Sequence, residues 1–564
     1  MSDNIKLVND RISELTDLYA RMDDTRDRLW EDNFKLKNPR TGKEINDAIH
    51  VTMPTPRQIG DNVKLDLIGA KWQVYVEGSL TEKQKATIRG FVDDVLNQAD
   101  EVLANRGDPW LYDFLCFHVC YRSYIGARWI TQYDGDSFSV DCLPVDMRWT
   151  PFRFDRDGLA WFNAITFRSK EDILSEYPKA DLPTITGSNI EVWDHWNRTE
   201  NEVYLKGMSD PIYSQKNPWG EVPAVITYPA TGSMFKDLGH EKHDAEDIFY
   251  LVRNIFDEEN RMVSIEQTVA MNSVLPAMQE QVDELDGTQA NEPPKAGQTV
   301  KVKVNQPYIP LAKPPLPTEF QLGRQDITKA ITAGGINDID IGNVADSVSS
   351  LFITTQAEIR RKVTKPRLRA LARFYELSAR MIINQTMSAL KRNTEPIVVG
   401  KQGKKKTYTM AQLRDPDSYT ITYDLKPRSD AEDVANQRRY LATKDDLPDI
   451  VRLRDILKVD DPDKVLREKS IQRAITSDPA LQLQDDAMRL IEEADMLDEA
   501  DDHIEADNKR FAAKVAIDNA IRLLNQRTQQ PQQLNDTAYM PQTAKTNPNP
   551  AVIASVGGGS NGQG

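Results

Sequence analysis

From Glu241 to Leu275 the chain runs 35 residues without a glycine or a proline. Ile248, Val252, Ile255, Met262, Ile265 and Val269 recur inside it at helical steps. At 1.5 Å per residue this pattern predicts one helix about 50 Å long, well beyond an ordinary globular element. A subunit built on such a rod needs neighbours to cover it. The 564 residues otherwise fit about four domains of ~150 residues, or one elongated multi-part subunit. Apolar residues make up 39% and mean hydropathy is −0.57, enough for several cores but not for a membrane bundle. No apolar run approaches the ~20 residues that span a bilayer.

The other elements order themselves around that rod. Ile5, Val8, Ile12, Leu15, Leu18 and Met22 form one stripe, which predicts an exposed amphipathic or partner-binding helix. Pro39, Gly42, Pro54, Pro56 and Gly60 predict a linker over 38–60. Asn62 to Ile68 alternates, and Trp72 to Val76 reads as a short strand. Thr81 is placed to cap a helix of roughly twenty residues that closes near Gly107. Trp110 to Tyr124 reads as a second, buried helix. Strands are expected at 127–133, 138–143, 161–168, 190–196, 202–206 and 224–228, with turns at Asp134-Gly135 and Asp157-Gly158. Beyond Pro276, seven prolines between Pro293 and Pro317 surround the alternating segment Val300 to Val304. A helix over 318–331 ends at Gly334-Gly335. A long helix over 351–391 contains Pro366, where a kink is expected. A strand pair around Lys401 to Lys406 follows. Helices over 430–525 are broken at Pro448, Pro462 and Pro479, and a Gln-, Asn-, Pro- and Gly-rich tail is expected to be disordered.

Catalytic patterns are scarce. No phosphate-binding G-x-x-x-x-G-K-[ST] loop occurs, so a motor ATPase is not expected. Cys116, His118 and Cys120 lie in an apolar helix and read as buried thiols rather than zinc ligands. His240 and His243 are three apart, which fits a helix start better than a metal helix. Asp338, Asp340 and Gly342 mimic a calcium loop but lack its closing Glu. Arg360, Arg361, Lys362, Lys365, Arg367 and Arg369 form a basic run that reads as a face paired with acidic neighbours, nucleic-acid contact being the alternative. Residues 485–507 hold eleven acids and one base, which reads as a solvated helical face. Three cysteines fit a reducing compartment. Met1-Ser-Asp-Asn lacks the basic and apolar parts of a secretory signal. The formal charge of −16 argues against gripping nucleic acid by bulk charge, yet allows nucleic acid to pass without being held.

This order of parts resembles the portal proteins of tailed bacteriophages, the head–tail connectors. Local phrases carry the likeness: Asn62-Val63 with Trp72 to Val76, Leu143-Pro144-Val145-Asp146 followed by Asp155 to Gly158, and Asn217 to Tyr228. The likeness covers roughly residues 60–525. It implies an α+β, portal-type elongated subunit with a mixed α/β wing, long stem helices, a small strand-containing clip, a kinked long helix and a helical crown. Its implied parts are an N-terminal helix and linker (1–59), wing (60–240), first stem helix (241–275), clip (276–317) and second stem helix (318–332). A tunnel loop (333–350), kinked helix (351–395), wing return strands (396–429), crown (430–525) and tail (526–564) complete it.

The resemblance implies no enzymatic activity and no cofactor. It implies a closed homo-oligomeric ring, typically a dodecamer, at one capsid vertex of the virion, assembled in the host cytoplasm. Its partners would be the terminase large subunit, major capsid and scaffolding proteins, head–tail adaptor or tail proteins, and double-stranded DNA moving through the channel. No membrane is implied. Asn337, Asp338, Asp340, Asn343 and Asp346 would then lie on a tunnel loop whose acids repel phosphate. Gly334, Gly335 and Pro366 would act as hinges, and Lys301 and Lys303 would face docking partners. Competing readings are a metal-dependent DNA-processing enzyme using Asp338, Asp340 and Asp346, and a capsid-assembly scaffold without a channel.

Overall fold

The computed structural model describes residues 3–134, 137–180, 182, 189–231, 243–275, 278–283, 297–304, 317–334, 350–392, 396–426, 430–457, 459, 462–499 and 503–529. The described residues combine helix and strand, an α+β chain, with every strand before residue 427. It divides into two compact units, residues 1–433 and 434–564.

The first unit opens with α1 (Asp3–Glu14) and α2 (Thr16–Leu29). These helices are not the exposed or partner-binding element expected from the sequence. Ile5 and Val8 pack on Trp161, Trp193 and Tyr204, while Leu15, Leu18 and Met22 pack with Phe152, Phe162 and Trp196. The apolar stripe is therefore spent on the chain's own sheets. Next, α3 (Thr55–Ile68) replaces the predicted linker end and alternating strand. Pro54 and Pro56 sit at its start, where a missing N–H costs nothing. Gly60 permits close contact with Tyr121, since a Cβ there would fall 2.1 Å from the Tyr121 hydroxyl.

Then come β1 (Lys71–Gly78), α4 (Glu82–Arg106) and α5 (Leu111–Tyr121). Thr81 and Gln84 form a reciprocal capping box at the start of α4, and Gly107 closes it at φ +83°. β2 (Ile125–Asp134), β3 (Ser137–Val145), β4 (Phe152–Asp155), β5 (Gly158–Arg168), α6 (Lys170–Glu176), β6 (Ile190–Asn197), β7 (Glu200–Leu205), β8 (Tyr213–Lys216) and β9 (Ala224–Thr227) follow. They build an antiparallel meander, β4-β5-β6-β7-β8, and a three-stranded sheet, β3-β2-β9.

The remaining elements of this unit are α7 (Arg253–Val274), β10 (Met278–Val282), β11 (Thr299–Lys303), α8 (Thr318–Ala333), α9 (Ser350–Arg392), β12 (Ile397–Val399), β13 (Lys406–Tyr408), α10 (Met410–Leu413) and β14 (Tyr419–Lys426). The last strand returns to pair antiparallel with β1, from Lys71 opposite Lys426 to Gly78 opposite Tyr419. α9 spans 43 residues, about 65 Å, and buries Leu371, Phe374, Ile382 and Ile383 in the main core. It also completes β2. The Gln385 amide accepts from Thr131 N (2.8 Å) and donates to Trp129 O (2.8 Å), taking the place of a neighbouring strand.

The unit boundary falls within α11 (Asp430–Ala442). α12 (Asp449–Val451) runs into a π turn at Arg452–Ile456, followed by α13 (Pro462–Ser477), α14 (Pro479–Glu499) and α15 (His503–Gln529). Pro462 and Pro479 are first residues of their helices, a position that tolerates proline. α14 and α15 pack along a seam of small residues. Ala480, Ala487 and Ala494 of one and Ala506, Ala513 and Ala520 of the other are buried at strict seven-residue intervals. Lys509 bonds Glu493 (2.6 Å) and Arg510 bonds Asp495 (2.9 Å) across the pair, so some of the acidic run is paired.

Candidate stem and its charged root

The 35-residue stretch does not form one helix. α7 begins only at Arg253 and is about 33 Å long. The reason lies in Glu246 and Asp247, whose side chains are bound by other elements. Asp247 accepts from Thr25 Oγ1 (2.6 Å), Arg253 Nη2 (2.8 Å) and Phe249 N (2.8 Å). The last bond offers the backbone an alternative to the helical ladder. Glu246 accepts from Arg253 Nη2 (2.9 Å) and lies 3.6 Å from Arg21. Ala245 adopts φ +46°, and Ile248 N donates to Cys120 O.

Two further arginines close this root. Arg21 donates to the carbonyls of Asp244 (2.8 Å) and Ala245 (3.0 Å). Arg367 of α9 is wholly buried and donates to Val363 O (2.6 Å) and Glu246 O (3.3 Å). Burial lowers the pKa of both Arg21 and Arg367, with the carboxylate of Asp247 opposing that shift. The basic run on α9 thus divides. Arg367 points into the protein, while Lys365 and Arg369 are exposed. The side chains of Arg360, Arg361 and Lys362 lie outside the described set.

Above the root, α7 and α8 form an antiparallel hairpin. Val252 meets Gly334 at one end, and farther along Arg324 bonds Glu266 beside the contact of Met262 with Gly323. Burial fades along the hairpin. α8 buries only Ile331, while Leu322, Val274 and Leu275 are half to three-quarters exposed. Beyond α7, β10 and β11 pair in parallel, Met278 opposite Thr299 and Val282 opposite Lys303.

A second feature was not anticipated. The extended segment Ile49 to Met53 lies along α7. Its alternate N–H groups donate to side chains one helical turn apart: Met53 to Asn260 (2.8 Å), Val51 to Ser264 (2.9 Å) and Ile49 to Thr268 (2.9 Å). Two extended residues advance about 6.6 Å and four helical residues about 6 Å, so the two spacings nearly match. The signal in the sequence is the polar series 260, 264, 268 at four-residue spacing.

The structure treats the expected site residues unevenly. Lys301 is exposed on β11, and Lys303 ends that strand. Gly334 lies at the helix end expected of it, with an ordinary helical φ. It caps α8 at φ −73°, and its use is close approach, since a Cβ would fall 2.1 Å from Val252. Pro366 lies inside α9, which continues on both sides. Gly335, Asn337, Asp338, Asp340, Asn343 and Asp346 lie outside the described residues, as do His240 and the tail beyond Gln529. His243 faces Glu246 at 2.9 Å. Cys116 and Cys120 are buried free thiols. Burial raises both, Cys120 to about 12. Among the described residues no group of three or more His, Cys, Asp or Glu could hold a metal ion. No described helix is long and apolar enough to cross a membrane.

The α7–α8 hairpin and its charged root belong to an α+β chain, and the outer half of the hairpin is partly exposed. No family model matches the chain, and no curated protein matches it.

Proposed function

We propose that this chain is a portal-type subunit, one of a closed ring through which double-stranded DNA is packaged and later released. The observation that carries this reading is the route of the chain. It leaves an α/β body through α7, passes a small two-stranded module, comes back along α8 and re-enters the body through α9. It then closes that body by pairing β14 with β1. An antiparallel hairpin whose outer half is exposed suits lateral packing against identical neighbours, because head-to-tail contacts close into rings when the rotation allows. The net charge of −16 per subunit suits a conduit that repels phosphate. In this reading the module of β10 and β11, with Lys301 and Lys303, meets the terminase large subunit and later the adaptor or tail proteins. Capsid and scaffolding proteins surround the body at one vertex of the virion. The protein acts as a conduit and not as a catalyst.

Negative-stain images of the purified full-length chain are expected to show closed rings with a central hole. A monodisperse monomer at micromolar concentration, by light scattering, would overturn the reading.

A further inference from the structure

A cleft of about 820 Å³ is lined from β2 and β3, from β6 and β8 of the meander, and from the end of α9. That volume falls within the ~300–1,000 Å³ of small-molecule sites. Its lining joins aromatic rings to amides. Trp196, Trp219, Tyr133 and Tyr213 supply the rings, and Gln132 and Gln215 the amides. Tyr213 and Gln215 are two apart on β8 and so share a face. The Tyr213 hydroxyl donates to Gln215 Oε1 (2.8 Å), and Gln215 Nε2 donates to Asn201 Oδ1 (3.3 Å).

Trp219 is held in place by its own loop. Its backbone N–H donates to Asn217 Oδ1 (3.1 Å), and Asn217 Nδ2 donates to the carbonyls of Asn197 and Glu221 (2.8 Å each). The Trp219 ring packs on Trp196, with centroids 6.1 Å apart and planes 28° from parallel. Trp196 is itself 2% exposed and anchored in an apolar core. A ring fixed this way gives up little freedom when a second ring stacks on it.

Charge selects the sign of the ligand. Among the described residues lining the cleft, Asp141 is the one acid and Lys216 the one base. Asp141 Oδ1 accepts from Arg106 (2.7 Å) and Oδ2 from Arg128 (2.7 Å), so its charge is spent on two arginines. Lys216 is exposed and makes no ion pair among the described residues. Glu200, opposite it on β7, accepts from Asn197 Nδ2 (3.3 Å) instead. The cleft therefore offers a free cation and no free carboxylate.

We propose that this cleft binds a nucleotide, with the base stacked on Trp219, Gln132 and Gln215 at the base edge, and Lys216 on the phosphate. Every base has a π face, so stacking accepts any of them, and the amides add hydrogen bonds at the edge. A neutral sugar would use the rings and leave Lys216 idle. Binding there needs no ring of subunits and does not rest on the conduit reading.

Calorimetric titration of the full-length chain with dAMP, deoxyadenosine, inorganic phosphate and maltose tests the site. One dAMP is expected per subunit, with deoxyadenosine and phosphate at least tenfold weaker. Lys216→Gln should abolish the advantage of dAMP over deoxyadenosine. Trp219→Ala should weaken both by about tenfold, and Trp219→Tyr should restore most of that loss. Lys216 is on the surface, so its variant remains informative if Trp219→Ala disturbs the fold. A short single strand of dA that binds more tightly than dAMP assigns the site to a strand, and weaker binding assigns it to the free nucleotide; both retain the base and phosphate contacts. Maltose binding as tightly as dAMP, no binding of dAMP at millimolar concentration, or affinities that neither substitution moves would each overturn the proposal.

Discussion

Replacing Asp247 with alanine is expected to destabilise the first unit by about 3–5 kcal/mol, the cost of breaking a buried ion network by removing one partner. Its side chain is 2% exposed and accepts from Thr25, Arg253 and the Phe249 amide. Without it, buried Arg21 and partly buried Arg253 keep a single carboxylate, Glu246, and buried Arg367 bonds the backbone carbonyls of Val363 and Glu246. Water cannot easily replace the lost partner, so the arginines keep their desolvation cost and lose compensation. The loss should appear as a shift in the urea midpoint with little change in slope. The exposed pair Lys329–Asp326 provides the contrast, and Asp326→Ala should scarcely move that midpoint. If Asp247→Ala shifts stability by less than about 1 kcal/mol, the network does not hold the root together.

Acid should weaken the fold well above the range where carboxylates titrate. His118 and His195 are both buried, and burial holds each at about 4, below the ordinary 6.5. His118 stacks on Phe114 and has Asp146 at 3.9 Å, whose charge opposes the shift, while Arg122 adds to it. Glu202 opposes the shift at His195. Between pH 6.5 and 4 the unfolded chain binds these protons and the native chain does not. Stability therefore falls as pH falls through that window and levels off below it, by about 3 kcal/mol per histidine. Burial of Asp93, Asp100, Glu221 and Glu259 raises their pKa, which acts in the opposite sense. The difference in slope between the natural chain and His195→Leu isolates the histidine, whatever the variant's stability at pH 7. Identical slopes from pH 7 to 4.5 would refute the assignment.

Local chemistry was readable where a few neighbouring residues decide the outcome. Thr81 and Gly107 mark the two ends of α4 because caps are satisfied within a turn of the helix they end. Asp157-Gly158 marks a hairpin for the same reason. Where distant partners decide, the sequence misleads. The described stretch 243–252 has helical spacing, yet Arg21, Thr25 and Arg367, each more than a hundred residues away, draw its backbone out of an α-helix. Pro54, Pro56 and Gly60 look like breakers, but the prolines begin α3 and the glycine admits Tyr121. The basic run of α9 looked uniform because nothing local reveals that Arg367 turns inward while Lys365 and Arg369 stay exposed. The expected tunnel-loop acids, from Asp338 to Asp346, lie outside the described residues.

The strap on α7 has a mechanical consequence. Its three bonds lie in a row along the helix, with Ile49 at the Thr268 end and Met53 at the Asn260 end. Tension applied along that row is shared by all three at once, as in a lap joint. Tension applied from one end strains them singly, as in peeling tape. Handles at Thr41 and Asp257 pull from opposite ends, whereas handles at Thr41 and Ser273 pull from the same end. An optical trap should find the higher rupture force for the first pair, and equal forces would show that the row bears no load. Axial force on α7 is then passed to the N-terminal segment without loosening it, while a sideways pull frees the strap one rung at a time.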